Sequence, residues 1–311
     1  MNISPPAVSV LMSVYNNERF LRAAIESILN QTFTDFEFVI IDDGSTDRAG
    51  KILEKYAAQD ARIRLTRREN RGVAKTRNEL IDQARGKFVA VMDGDDIALP
   101  DRLKQQVEFL TAHPEVVCVG GSQDWIDEAG RFLVHREVLE HDRDIQASAL
   151  SGITPINHPC ALIRRSALLQ VGGYDETMAT VGDLDLFLRL GEVGQLANLK
   201  QTVLQYRLHP KSISESNQLR QTDDRREACR RAWERRGISG KFKEAPPWRP
   251  IDRPSRHEFV TDYGWRFFLR GDRQAAIVYG IKAVRTLPLN LNGWKLLICA
   301  LIKPLPEVET V

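Results

Sequence analysis

The stretch AVMDGDDIAL, residues 90–99, gathers Asp93, Asp95 and Asp96 directly behind the apolar run Phe88-Val89-Ala90-Val91-Met92. A short apolar run closed by turn residues reads as a buried strand, so the three carboxylates stand at its end. Like charges this close repel and raise one another's pKa, which is costly unless a cation or a shared proton relieves them. D-x-D after a buried strand places hard oxygen ligands where Mg2+ or Mn2+ can bridge to a diphosphate; the plainer alternative is a solvated acidic loop.

Working outward, the same pattern recurs. Val8 to Val14 is a β-branched apolar run, followed by Tyr15-Asn16-Asn17 and then by Phe20, Leu21, Ala24, Ile25, Ile28 and Leu29 at helical spacing. Phe36 to Ile41 gives the next strand, Asp42-Asp43-Gly44-Ser45-Thr46-Asp47 a turn, and Ile52, Leu53, Tyr56 and Ala57 the stripe of a helix. Ile63 to Thr66 reads as a strand and Val73 to Ala84 as a helix stopped near Gly86. Strands and helices alternating in this way predict an α/β fold with a mainly parallel central sheet flanked by helices. Ligands of such sheets bind beyond the carboxyl ends of the strands, where Tyr15-Asn16, Asp42-Asp43 and the Asp93 cluster all fall.

Further on, a helix is expected from Pro100 to about His113, a strand over Val116 to Gly121, irregular chain up to Pro159, a strand at Ala161 to Ile163 and a helix over Gly182 to Leu190. The character changes after Ser212: Leu219 to Arg236 is Arg-rich, Lys241 to Pro254 is linker-like, and Phe259 to Ile302 reads as two or three helices. The expected division is therefore a catalytic-type α/β domain over 1–215 and a helical C-terminal extension over 216–311. The segment around Ala275 to Pro288 resembles one tetratricopeptide unit, too few for a solenoid.

Bulk properties narrow the setting. The 311 residues carry 44 Lys and Arg against 42 Asp and Glu, a net charge of +2 that argues against a nucleic-acid binder. Cys118, Cys160, Cys229 and Cys299 are far apart and fit neither a zinc site nor a disulfide framework, so a reducing cytoplasmic setting is expected. The N-terminal residues lack the basic region and cleavage site of a secretory signal, and no export is expected. No apolar run approaches the roughly 20 residues that span a bilayer.

Two further clusters bear on chemistry. Asp183 and Asp185 lie at the start of the helix over 182–190, where both could simply complement its dipole, or one could face a cleft as a general base. His209 follows Tyr206-Arg207-Leu208, where a cation or donor could balance diphosphate charge.

The ordered motifs VSVLMSVYNNERFLRAAIESILNQTF, FEFVIIDDGSTD, NRGVAKTRNELIDQARGKFVAVMDGDDIALPDRL, HPCALIRRSALLQVGGYDE, DLDLFLRL and YRLHP span about residues 7–212. Together they resemble the family 2 inverting glycosyltransferases of GT-A fold. The resemblance implies a nucleotide-diphosphate sugar donor, UDP- or dTDP-linked, and a divalent cation, Mn2+ or Mg2+. It places Val14, Tyr15, Asn16, Asp42 and Asp43 beside the nucleoside, Asn70, Gly72 and Arg77 along the donor cleft, and Asp93, Gly94 and Asp95 at ribose and metal. His209 would join Asp95 near the metal, and Asp183 would be the catalytic base. Family members commonly carry Glu-Asp where this chain has Gly182-Asp183, and no Q-x-x-R-W motif of processive polymerases is present.

The expected context is assembly of a cell-surface polysaccharide or glycolipid, with a saccharide or lipid-linked acceptor. A sugar-phosphate nucleotidyltransferase is the rival enzyme, but its Gly-rich phosphate loop is replaced here by Tyr15-Asn16-Asn17-Glu18; a non-catalytic nucleotide-binding scaffold is the rival from another class. Arg226, Arg230, Arg231 and Trp233, with the segment Trp294 to Ile302, leave open a peripheral contact with anionic lipid at the inner face of the membrane.

Overall fold

A computed structural model describes residues 5–178, 180–209, 218–244 and 252–306. The chain divides into two compact units: residues 1–209 with 217–244, and the rest. The expected boundary at 215/216 and the middle of the expected linker lie outside the described residues. The Arg-rich helix that follows this boundary belongs to the first unit, not to the tail.

The first unit is built on a sheet that includes β1 (Val8–Val14), β2 (Phe36–Asp43), β3 (Ile63–Arg68) and β4 (Phe88–Val91), joined in the order β3-β2-β1-β4 by parallel ladders. The side-chain period of two sends Val8, Val10, Met12 and Val14 to one face with Phe36, Phe38 and Ile40, where α1 (Leu21–Leu29), α2 (Ala49–Gln59) and α4 (Arg102–Ala112) cover them. Leu11, Val39, Ile41, Val89 and Val91 face the other way, against α3 (Val73–Gln83), α5 (Asp142–Leu150), α6 (Arg165–Gln170) and α7 (Gly182–Leu190). Burial on both faces explains why these strands read as nearly unbroken apolar runs.

Beyond β4 the sheet becomes mixed. β8 (Leu162–Arg164) pairs antiparallel with β4 and with β6 (Val116–Ile126), β9 (Gln195–Arg207) runs parallel to β6, and β5 (Ile97–Ala98) and β7 (Phe132–Arg136) add antiparallel ladders. The expectation of a mainly parallel sheet thus holds for β1 to β4 and for the β6–β9 ladder, but not for the antiparallel ladders that β5, β7 and β8 add. β7 and α5 occupy the stretch that sequence leaves irregular. β9 was not foreseen either, because its register against β6 slips at several points and its Gln, Lys and Asn content hides the alternation.

At the strand ends, Val14 stands level with Asp42 and Leu11 with Val91, so three loops emerge on the same edge. The chain winds from β1 outward to β3 and returns to the other side of β1 as β4, which opens a crevice between β1 and β4. At the opposite edge Ser9 and Glu37 form a buried polar knot: Glu37 accepts from Ser9 Oγ at 2.7 Å, from Arg85 N and Nε at 2.8 Å each and from Arg64 Nη1 at 2.8 Å.

α8 (Gln218–Arg236) packs onto this unit with its arginines engaged. Arg226 meets Glu244 at 2.7 Å, Arg230 meets Glu227 at 2.7 Å, Arg231 meets Asp175 at 2.9 Å, and Trp233 Nε1 donates to the Leu150 carbonyl at 3.1 Å. These four are part of the set, with Trp294 to Ile302, for which sequence leaves lipid contact open, and intramolecular partners hold them.

The described part of the second unit, residues 252–306, is three helices: α9 (Arg253–Leu269), α10 (Arg273–Thr286) and α11 (Leu291–Ile302). Asp252 and Ser255 form a reciprocal capping box at the start of α9, and Asp272 caps α10. Gly264 and Gly280 permit close approach, since a Cβ on either would lie 2.3 Å from Leu296 Cδ2 or 2.8 Å from Leu297 Cα. Tyr263, Phe267, Tyr279 and Leu296 fill the space between the helices.

Candidate active site

Three strand ends and two later segments meet at the crevice. After β1, Val14 is buried and offers only backbone, whereas Tyr15 is exposed and Asn16 adopts φ 52°, a left-handed conformation that Asn tolerates. The Asn16 carboxamide oxygen accepts from Thr46 N at 2.7 Å, and the Asn16 backbone N–H donates to Ser45 Oγ at 3.0 Å, which ties the β1 loop to the β2 loop.

Asp42 and Asp43 diverge. Asp42 is buried and accepts from Ser45 N and from Arg67 Nε, both at 3.0 Å, so its carboxylate closes the turn. Asp43 Oδ1 accepts from Arg71 N at 2.9 Å and from Arg68, and Oδ2 from Gly72 N at 3.0 Å. Asn70 Nδ2 donates to the Asp43 carbonyl at 2.9 Å, and Gly72, with φ 89°, caps α3. Asp43, Asn70 and Gly72 are thus one hydrogen-bonded assembly in which Oδ2 retains room for a further donor.

The Asp93 cluster sits across the crevice. A Cβ on Gly94 would come within 2.8 Å of Asn17 Nδ2, so glycine there lets the β4 loop close on the β1 loop. Asp93, Asp95 and Asp96 can each present an oxygen with all three inside 4.8 Å of one another. Burial pushes Asp93 up to about 6; Arg77, 3.6 Å away, opposes the rise while Asp95 and Asp183 add to it. Asp96 is buried and held well above the usual carboxylate range by desolvation and by its two neighbours.

Two arginines offset this charge. Arg207 donates from its backbone N to Asp96 Oδ1 and from Nε to the Asp95 carbonyl, both at 2.8 Å. Arg102, fully buried beneath the loop, donates from Nη2 to the Val91 carbonyl at 2.8 Å and feels both Asp96 and Asp93. Arg207 lies in the segment before His209 that sequence singles out for a cation, whereas Arg102 is passed over. The available signal was Arg102 and Gln106 four apart on the inward face of α4, a polar pair where apolar residues belong.

His209 Nε2 lies 2.8 Å from Asp95 Oδ2, and its ring packs 4.9 Å from Phe20. Three carboxylates and an imidazole form a hard-donor set suited to Mg2+ or Mn2+. Asp96 Oδ2 is buried without a hydrogen-bond partner, an acceptor that a cation or a proton would satisfy. The residues present therefore fit a divalent cation.

On α7 the two candidate acids separate. Asp185 is buried and accepts from Arg189 Nε at 2.9 Å and Nη2 at 2.6 Å, while Arg189 Nη1 fastens the Val171 and Gly173 carbonyls. Asp183 is half-buried and interacts electrostatically with Asp93 across the crevice. Burial raises its pKa, while the Leu184 N–H, Arg77 and Arg225 pull it back. Tyr174 packs under Arg77 and shares a 2.7 Å hydrogen bond with His158, whose burial keeps it neutral. A Cβ on Gly182 would meet nothing nearer than Tyr174 Cδ1 at 3.8 Å.

The family model for glycosyl transferase family 2 matches residues 9–172. The chain is 36% identical to EpsE of Bacillus subtilis (strain 168), a protein named as a glycosyltransferase, over 61% of this chain and 69% of that one. It is 30% identical to the amylovoran biosynthesis glycosyltransferase AmsE of Erwinia amylovora over 64% of this chain and 75% of that one. Among solved structures, the mannosyltransferase PcManGT of Pyrobaculum calidifontis in complex with GDP-Man and Mn2+ superposes with a TM-score of 0.56, at 18% identity, covering 96% of this chain and 80% of that one. The fold is that of the GT-A glycosyltransferases. The chain belongs to glycosyl transferase family 2.

Proposed function

We propose that this protein transfers a sugar from a nucleotide-diphosphate sugar, UDP- or dTDP-linked, to an acceptor hydroxyl with inversion at the anomeric carbon. Asp183 is the general base: it takes the acceptor proton as that oxygen attacks the face opposite the leaving diphosphate. Burial raises its pKa, which makes it a stronger base than an ordinary carboxylate. The observation that carries the reading is the pairing of Asp185 with Arg189, which leaves Asp183 as the carboxylate of α7 that interacts with the Asp93 cluster.

Tyr15 and the assembly of Asp43, Asn70 and Gly72 receive the nucleoside, with Asp43 Oδ2 accepting a base N–H. Asp93, turned toward Arg77, orients the ribose and sugar, and Asp95 with His209 forms the metal-side pair. When bound there, a divalent cation supplies positive charge against the departing diphosphate. The acceptor is a saccharide or lipid-linked hydroxyl in polysaccharide or glycolipid assembly on the cytoplasmic side; the likeness to AmsE, named for amylovoran biosynthesis, supports the biosynthetic part of this reading.

The test uses a panel of nucleotide sugars screened by thermal shift with Mn2+, followed by turnover on the donor that stabilises the fold. Asp183→Asn should lower turnover by roughly 10²–10⁴-fold with donor affinity retained. Asp95→Ala should instead weaken metal-dependent nucleotide binding in a Mn2+ titration. Wild-type turnover in Asp183→Asn would remove the assignment.

A further inference from the structure

The three-helix unit carries an apolar surface that its own core does not use. At the turn before α11, Leu289 is 98% exposed; along the helix Leu291 is 80% and Ile302 75% exposed, with Trp294, Ile298 and Leu301 about half so. At 3.6 residues per turn, the five residues on α11 fall within an arc of about 100°. Gly293, Leu296, Cys299 and Ala300 point the other way, into the bundle. A helix with its core face satisfied and a second apolar stripe in water marks an interaction site.

Charge identifies the occupant. From Arg273 through Pro306 the sequence holds no Asp or Glu and five basic residues: Arg273, Lys282, Arg285, Lys295 and Lys303. Arg273 is committed to the Ala300 and Lys303 carbonyls, at 2.6 and 2.5 Å. Lys295 borders the stripe on one side, and Lys303 follows it at the C-terminal end of the helix. Packing two copies of this face together would bring like charges together with no acid among residues 273–306 to neutralise them. A bilayer surface offers acyl chains to the leucines and isoleucines, an interfacial zone to Trp294, and phosphates to the lysines. None of the helices among the described residues is long and apolar enough to cross a membrane, so α11 would lie in the plane of the surface.

We infer that α11 and the Pro288-Leu289 turn form a docking surface for anionic lipid bilayers. This goes beyond the transfer reaction and is independent of it. The experiment is flotation of the full chain with vesicles of phosphatidylcholine, with and without phosphatidylglycerol. The wild-type protein should float with the anionic vesicles, less so in high salt. Leu289→Ser/Leu291→Ser/Ile298→Ser should reduce partitioning by roughly 100-fold with an unchanged melting temperature, because all three side chains are exposed. Lys295→Gln/Lys303→Gln, which keeps the apolar stripe, should reduce it by about fivefold per lysine. The inference is overturned if the wild-type chain stays in the soluble fraction with anionic vesicles, or if either variant floats as well as the wild type. It is equally overturned if light scattering finds a dimer that the triple substitution dissociates, which would assign the face to a second copy.

Discussion

Asp183 and Asp185 stand two residues apart on the same helix, and their substitution by Asn should produce opposite phenotypes. The Asp185 carboxylate is 2% exposed and takes two hydrogen bonds from Arg189, at 2.6 and 2.9 Å. Breaking a buried pair by removing one partner costs about 3–5 kcal/mol, and because Asn keeps one acceptor oxygen the expected loss is about 3 kcal/mol. For a unit of more than 200 residues, with roughly 2–4 °C per kcal/mol, the melting temperature should fall by roughly 6–12 °C. Arg189 also holds the Val171 and Gly173 carbonyls, so the damage should spread to the loop before α7. Asp183→Asn removes a carboxylate that burial already disfavours, so stability should hold or rise slightly while turnover collapses. Differential scanning fluorimetry and initial rates, measured well below both melting transitions, separate the two effects. An inactive Asp185→Asn protein of unchanged stability, beside an active Asp183→Asn protein, would refute the reasoning.

Two further outcomes are expected. Burial alone would raise the Glu37 pKa, but hydrogen bonds from Arg85, Ser9 and Arg64 more than reverse this and hold it below 4.5. Its contribution is therefore present above that value and lost as pH falls through the folded-state pKa; Glu37→Gln should destabilise by about 2 kcal/mol at pH 7 in urea melts, a deficit that shrinks in acid. Gly182→Glu places a second carboxylate beside Asp183 at a position where a Cβ meets Tyr174 Cδ1 only at 3.8 Å, so the acid limb of the pH–rate profile should move to higher pH; an unmoved limb would separate Asp183 from the rate-limiting proton transfer.

Much of the crevice was legible because the periodicities that reveal it are local. Val8 to Val14, Phe36 to Ile41 and Phe88 to Met92 announce themselves as strands within a few residues, and the polar residues following each must lie at the carboxyl edge of a parallel sheet. The mixed half was less legible. β9 draws its stability from a ladder with β6, some 80 residues earlier, and a pairing at that separation leaves a weak imprint on either segment. Arg102 looks like any helix-surface arginine until α4 is laid against the sheet, and its partners, the Val91 carbonyl and the Asp96 field, come from elsewhere.

The stretch AVMDGDDIAL shows where the division falls. By itself the sequence determined that three carboxylates cluster at the end of a buried strand, that other acids stand at a neighbouring strand end, and that the ordered motifs match one family. Tertiary structure decided which partners each acid meets. Asp42 is closed off by Arg67 and Asp185 by Arg189, and Asp96 gives one oxygen to the backbone of Arg207 and keeps the other unpartnered, whereas Asp93, Asp95, His209 and Asp183 share the crevice. Charge and spacing are written locally, but burial and partnership depend on which distant segments fold against them, and these separate a structural carboxylate from one open to a ligand.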